Sequence, residues 1–143
     1  MTSEKALSTL NTMTLELLSP LFSVCKLAAK ESIDRSELNL NKAYTFFSRT
    51  DDECSLVCPS ENVPSGCIAR NDGWRGLKVQ GTLDFSLTGI LARIASVLAE
   101  AKIPIFAIST FNTDYILVQK ENIDAAVSAL ENAGYTITGS RSI

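Results

Sequence analysis

The stretch LDFSLTGILARIASVLAEAKIPIFAISTFNTDYILV, residues 83–118, changes its hydrophobic period partway along. Its first half carries Ile90, Leu91, Ile94, Ala95, Val97, Leu98 and Ala101 at helical spacing, which predicts an amphipathic helix with one buried face. Ser86 or Thr88 is placed to cap that helix by accepting a hydrogen bond from a backbone N–H. Its second half reads as two strands. IPIFAIST is entered at Pro104 and DYILVQ follows after a short polar connection, so the pair predicts a hairpin.

The flanks extend the pattern. Upstream, WRGLKVQGTLDF alternates, with Leu77, Val79 and Leu83 on one side of a strand. Downstream, NIDAAVSALENAG predicts a second helix, capped by Asn122, striped by Ile123, Ala126, Val127 and Leu130, and ended at Gly134. YTITG then forms a last short strand. The order β-α-β-β-α-β implies an α+β fold, a four-stranded antiparallel sheet with two helices on one face, the ferredoxin-like arrangement.

The N-terminal half repeats this plan weakly. LELLSPLFSVCKL predicts a long strand broken near Pro20, ESIDRSELNLNK at best a short helix, and AYTFFSRTD with ECSLVCP a hairpin. SENVPSG leaves room for one helical turn. FFSRTDDECSLVCPSENV and AISTFNTDYILVQKENI share Ser and Thr, then Asp, then Leu-Val, then Glu-Asn and a branched apolar residue. With small insertions the two align as a tandem repeat whose first copy is degenerate. The expected organisation is a flexible N-terminus at 1–12, a degenerate unit at 13–70 and a complete unit at 71–143, with the boundary near Arg70 to Gly73.

Composition narrows the function. The 143 residues are 45% hydrophobic, carry a formal net charge of −3 and have no basic run, which argues against nucleic acid or an anionic membrane as partner. The N-terminus has no apolar h-region and no segment is long enough to span a bilayer, so a cytoplasmic protein is expected. There is no histidine anywhere in the chain. That removes the commonest general base, and no catalytic residue is assigned. Cys25, Cys54, Cys58 and Cys67 are read as reduced thiols, Cys54 and Cys58 sharing one side of a strand, and neither a metal nor a cofactor is expected.

Two polar clusters remain. The connection LDFSLTGI combines free N–H groups at a helix start with the hydroxyls of Ser86 and Thr88, a natural seat for a carboxylate, and Gly89 permits close backbone approach. In the hairpin, Thr110, Asn112 and Thr113 offer hydrogen bonds, and Asp114, like Asp84, can pair with an ammonium or guanidinium group. Local rules also accommodate a well-capped helix and an ordinary polar turn. Phe111, an aromatic ring in a polar hairpin, suggests that this edge is covered by the other lobe, another subunit or a ligand. Together the clusters suit a small zwitterion.

Residues 83–118, and most strongly the span Trp74 to Gly134, resemble the ACT domain, a small-molecule-binding regulatory module. The run is especially like that of small tandem-ACT proteins related to the cytosolic arginine sensors, and FFSRTDDECSLVCP is similar to the first unit of such tandems. Many ACT domains have Pro directly before the loop Gly, where this chain has Thr88. The resemblance implies two ferredoxin-like units in tandem and a non-catalytic sensor that binds an amino acid at the interface between ACT units. It implies a homodimer, with a protein partner as the further route of regulation; the alternative is a homodimeric scaffold with a vestigial pocket. The resemblance implies ligand contacts at Asp84, Leu87, Gly89 and Ile90 in the loop and at Thr110, Phe111, Thr113 and Asp114 in the hairpin; with Ser86, Thr88 and Asn112 from the polar clusters these are the expected ligand-binding residues.

Overall fold

The computed structural model describes residues 13–28, 38–81 and 88–142. Seven strands and two helices are assigned among them: β1 Thr14–Leu27, β2 Phe46–Arg49, β3 Cys54–Pro59, β4 Cys67–Val79, α1 Ile90–Glu100, β5 Ile105–Ser109, β6 Asp114–Gln119, α2 Ile123–Asn132 and β7 Thr136–Thr138. They divide into two compact units, 20–74 and 13–19 with 75–142, so β1 and β4 each contribute to both. Residues Arg70 to Gly73, expected to be a boundary, are strand residues within β4.

In the second unit β5 and β6 form an antiparallel hairpin from Ile105↔Val118 to Ser109↔Asp114, and β6 lies beside β4. The first residues of β1 flank β4 on its other side, where the Gln80 N–H donates to the Thr14 carbonyl at 2.9 Å. β7 pairs in parallel with β1, Thr14↔Thr136 to Glu16↔Thr138. The last strand therefore reaches a segment that precedes the repeat in sequence. Gly139 makes this possible: its φ is +93°, and a Cβ there would sit 2.4 Å from the Leu17 carbonyl oxygen.

The helices cover this sheet because their apolar stripes match it. Ile90, Ile94 and Leu98 of α1, with Ile123, Ala126, Val127 and Leu130 of α2, pack on Leu15, Leu17, Leu77, Val79, Ile116 and Val118. Burying each large side chain contributes about 1.5–3 kcal/mol. The helix starts differ from expectation. Gly89, at φ 82°, is the N-cap of α1 and has no side chain to cap it, while Ser86, one of the two residues expected there, lies outside the described residues. Asn122 makes no cap bond to α2 either, because a 3₁₀ turn, Lys120–Asn122, feeds that helix.

The first unit has strand order β2-β3-β1-β4, with β1 and β3 antiparallel from Phe22↔Pro59 to Leu27↔Cys54. β1 runs unbroken through Pro20. The core of this unit is built from Cys25, Leu27, Leu38, Cys54, Leu56 and Cys58, so Cys54 and Cys58 do share a face. The expected helix at residues 31–42 falls largely outside the described residues. A single 3₁₀ turn, Ser60–Asn62, stands where a second helix would be.

The repeat proves regular in this region. The pair Phe46↔Val57 has its counterpart in Phe106↔Leu117, and the turns Ser60–Asn62 and Lys120–Asn122 correspond at the same sixty-residue offset. From β2 to the 3₁₀ turn the two copies align without the insertions that the residue pattern suggested.

Candidate functional site

The candidate site lies in the second unit, where β4 ends and the β5–β6 hairpin turns. The Thr110 N–H donates to the Thr113 carbonyl at 2.9 Å, and the Thr110 hydroxyl donates to the same oxygen at 3.0 Å. The Thr113 N–H returns to Thr110 Oγ1 at 3.4 Å. Thr110 thus closes the turn with both its backbone and its side chain. Thr113 is only 4% exposed, and its hydroxyl donates to the Val79 carbonyl at 2.7 Å. That bond ties the hairpin to the exit of β4, where the chain leaves toward α1.

Asp114 is half-buried, and its Oδ1 accepts a 2.6 Å hydrogen bond from the hydroxyl of Ser109, its partner in the strand register. Ser109 was absent from the residues expected to build the site. Its signal lay in the hairpin register, which places it opposite Asp114. The bond orients the carboxylate and leaves Oδ2 available for a cationic group. Phe111, at the tip, is 79% exposed, and Asn112 beside it is exposed too.

On the helix side, Thr88 and Gly89 are exposed. Arg93 N–H donates to the Gly89 carbonyl at 2.8 Å, which leaves the N–H groups of Ile90, Leu91 and Ala92 without intrahelical acceptors. The side chain of Ile90 is 6% exposed and packs in the core, so that residue offers backbone only. Asp84, Ser86 and Leu87 lie outside the described residues. The structure therefore brings together Thr110, Thr113, Asp114 and the end of β4.

Around this site the chemistry is plain. Among the described residues no cluster of three or more His, Cys, Asp or Glu side chains is placed to hold a metal ion. No described helix is long and apolar enough to cross a membrane. Arg75 is fully buried and donates to the carbonyls of Leu18 at 3.2 Å, Ser140 at 3.0 Å and Arg141 at 2.9 Å. Burial lowers its pKa, and the three bonds fasten the C-terminal segment to β1.

Comparison with known proteins gives consistent relatives. The family model described as ACT domain matches residues 69–132. The human cytosolic arginine sensor for mTORC1 subunit 1 is 31% identical over 109 residues, 71% of this chain but 33% of its own length. The bovine sensor is 33% identical over 96 residues and is matched over 29% of its length, so the chain spans about a third of these curated relatives. A crystal structure of an Agobacterium tumefaciens protein superposes with TM-score 0.78 at 31% identity, covering 89% of this chain and 92% of that one. The aspartate kinase of Clostridium acetobutylicum has TM-score 0.64 at 14% identity over 85% of this chain and 34% of its own, a likeness of fold.

Proposed function

Because residues 69–132 match the ACT-domain family model, we propose that the chain is a non-catalytic regulatory module that senses an amino acid at the loop and hairpin of its second unit. The observation that carries this reading is the 2.7 Å bond from Thr113 to the Val79 carbonyl. It holds the oriented Asp114 carboxylate beside the end of the strand that leads to the Gly89 helix start. In this reading Asp114 takes the α-ammonium or a basic side chain. The free N–H groups at the Gly89 helix start take the carboxylate, with Thr88 and, outside the described residues, Ser86 and Leu87 as the further proposed contacts there and Asp84 as a second partner for the cationic end. Asn112 and Phe111 close the outer side.

A second copy of the chain would cover Phe111, making a homodimer whose arrangement the ligand stabilises through contacts present in only one state. Regulation then passes through a protein partner in the cytoplasm, a compartment in keeping with the relatives named as cytosolic sensors. The test is a thermal-shift panel of the twenty amino acids at millimolar concentration. At least one should raise the Tm, and Asp114→Ala should abolish that rise. No response to any of them would sink the reading.

The exposed Phe111 ring also favours a second reading, a homodimeric scaffold whose pocket is vestigial. That reading requires a concentration-dependent dimer by sedimentation, lost in Phe111→Ala, with no ligand effect on the dimer.

A further inference from the structure

The helical face of the second unit holds a groove unrelated to the loop and hairpin. It has a volume of about 360 Å³ and lies between α1 and α2. Small residues open it: Ala129 on α2 and Ala133 at its C-cap line it together with Ser96 on α1. Its polar groups are distributed along its length. Arg93 and Glu100 stand seven residues apart on α1, hence roughly 10 Å along the helix axis, with Ser96 and Asn132 between them.

Arg70 pairs with Asp72, and Arg141 with Asp124 and Glu131, whereas Arg93 and Glu100 make no ion pair among the described residues. Arg93 Nε is buried without a hydrogen-bond partner there. The Tyr135 hydroxyl, on a residue only 4% exposed, stands within hydrogen-bonding reach of the Arg93 guanidinium and helps to hold it in place. Capping of α2 does not account for the arginine. The carbonyls of Ala129, Leu130 and Glu131 already accept backbone N–H groups from Ala133, Gly134 and Tyr135. A half-buried cation whose Nε has no partner among the described residues stands at one end of the groove and an exposed carboxylate at the other, a spacing that suits a ligand with opposite charges at its two ends.

We propose that the α1–α2 groove is a second small-molecule site, for a linear ligand with a carboxylate at one end and an ammonium at the other. The ligand carboxylate binds the Arg93 guanidinium, its ammonium binds Glu100, and its methylene chain lies on Ala129 and Ala133. Ser96 and Asn132 hydrogen-bond along the way. Because the two anchors are far apart, the site measures end-to-end charge separation rather than an α-amino-acid head group. It is therefore independent of the site at Asp114.

The probe is 6-aminohexanoate, which has both end charges and no α-ammonium, titrated into ¹⁵N-labelled protein. The expected result is saturable shifts at the amides of Ser96, Ala129 and Asn132. Arg93→Gln and Glu100→Gln should each weaken binding by roughly tenfold or more, with Arg93→Lys retaining part of it. Asp114→Ala should leave the affinity unchanged, which separates this site from the amino-acid site. Dispersed spectra of the variants would establish that they fold. Non-saturating shifts, shifts centred on residues 109–114, or binding that survives both charge-removing substitutions would overturn the proposal.

Discussion

The two hairpins are built alike and filled differently. Thr110 closes the second by bonding to Thr113; Thr50 closes the first in the same manner, its N–H donating to the Glu53 carbonyl at 2.9 Å and its Oγ1 accepting from the Glu53 N–H at 3.1 Å. Sixty residues separate each pair of equivalents. Yet where the second hairpin has Ser109, Thr113 and Asp114, the first has Arg49, Glu53 and Cys54. Cys54 is 2% exposed and belongs to an apolar, thiol-rich core. The turn geometry has thus been kept in both copies while the oriented carboxylate is present in one. This difference leaves the turn to folding and is what the proposed role of Asp114 in recognition would explain.

Substitutions can break or sharpen that contrast. The largest effect is expected from Cys54→Asp, which transplants the second hairpin's carboxylate into the first. An uncompensated charge at a fully buried position costs roughly 3–5 kcal/mol, read as a lower denaturation midpoint. Leu98→Ala, in the helix that the first unit has no described counterpart for, should cost about 3 kcal/mol through transfer loss and cavity. Thr113→Val keeps shape but removes the hydroxyl from the Val79 carbonyl. About 1–2 kcal/mol of stability should go, and any ligand bound at Asp114 should weaken with it.

Absent at neutral pH, and specific to the first unit, is an alkaline effect. Burial, then the neighbouring Cys67 and Cys58 thiols, raise the Cys25 pKa from 9.0 to about 12. A raised folded-state pKa contributes stability that is complete below the unfolded value and is lost as pH climbs through the folded one. Stability should therefore fall between pH 9.0 and about 12, and Cys25→Ala should flatten that part of the profile. An unchanged slope in the variant would remove Cys25 from the account.

Much of this was legible in the residues. The stripes of both helices, the β5–β6 hairpin and the Thr110 to Asp114 cluster follow from periodicity and turn chemistry. What periodicity does not carry is long-range pairing. That β1 flanks β4 and receives β7 depends on contacts between segments far apart in sequence, Thr14 with Gln80 and Thr14 with Thr136, and Gly139 alone marked the close approach. Pro20 misled as a strand breaker because pairing with β3 begins only at Phe22, so its missing N–H falls outside that ladder. The Ser109 bond to Asp114 needed the register, and the burial of Arg75 needed the fold. Nothing in WRGLKV distinguishes an arginine bound to three carbonyls from a surface cation.

The central claim is that Asp114, the hairpin turn and the Gly89 helix start form one amino-acid site. The most direct measurement is an ¹⁵N chemical-shift map of the chain titrated with the amino acid that gives the largest Tm rise. The account predicts saturable shifts at both Gly89–Ile90 and Thr110–Asp114, all absent in Asp114→Ala. Shifts confined to one of the two segments, or retained in that variant, would contradict it.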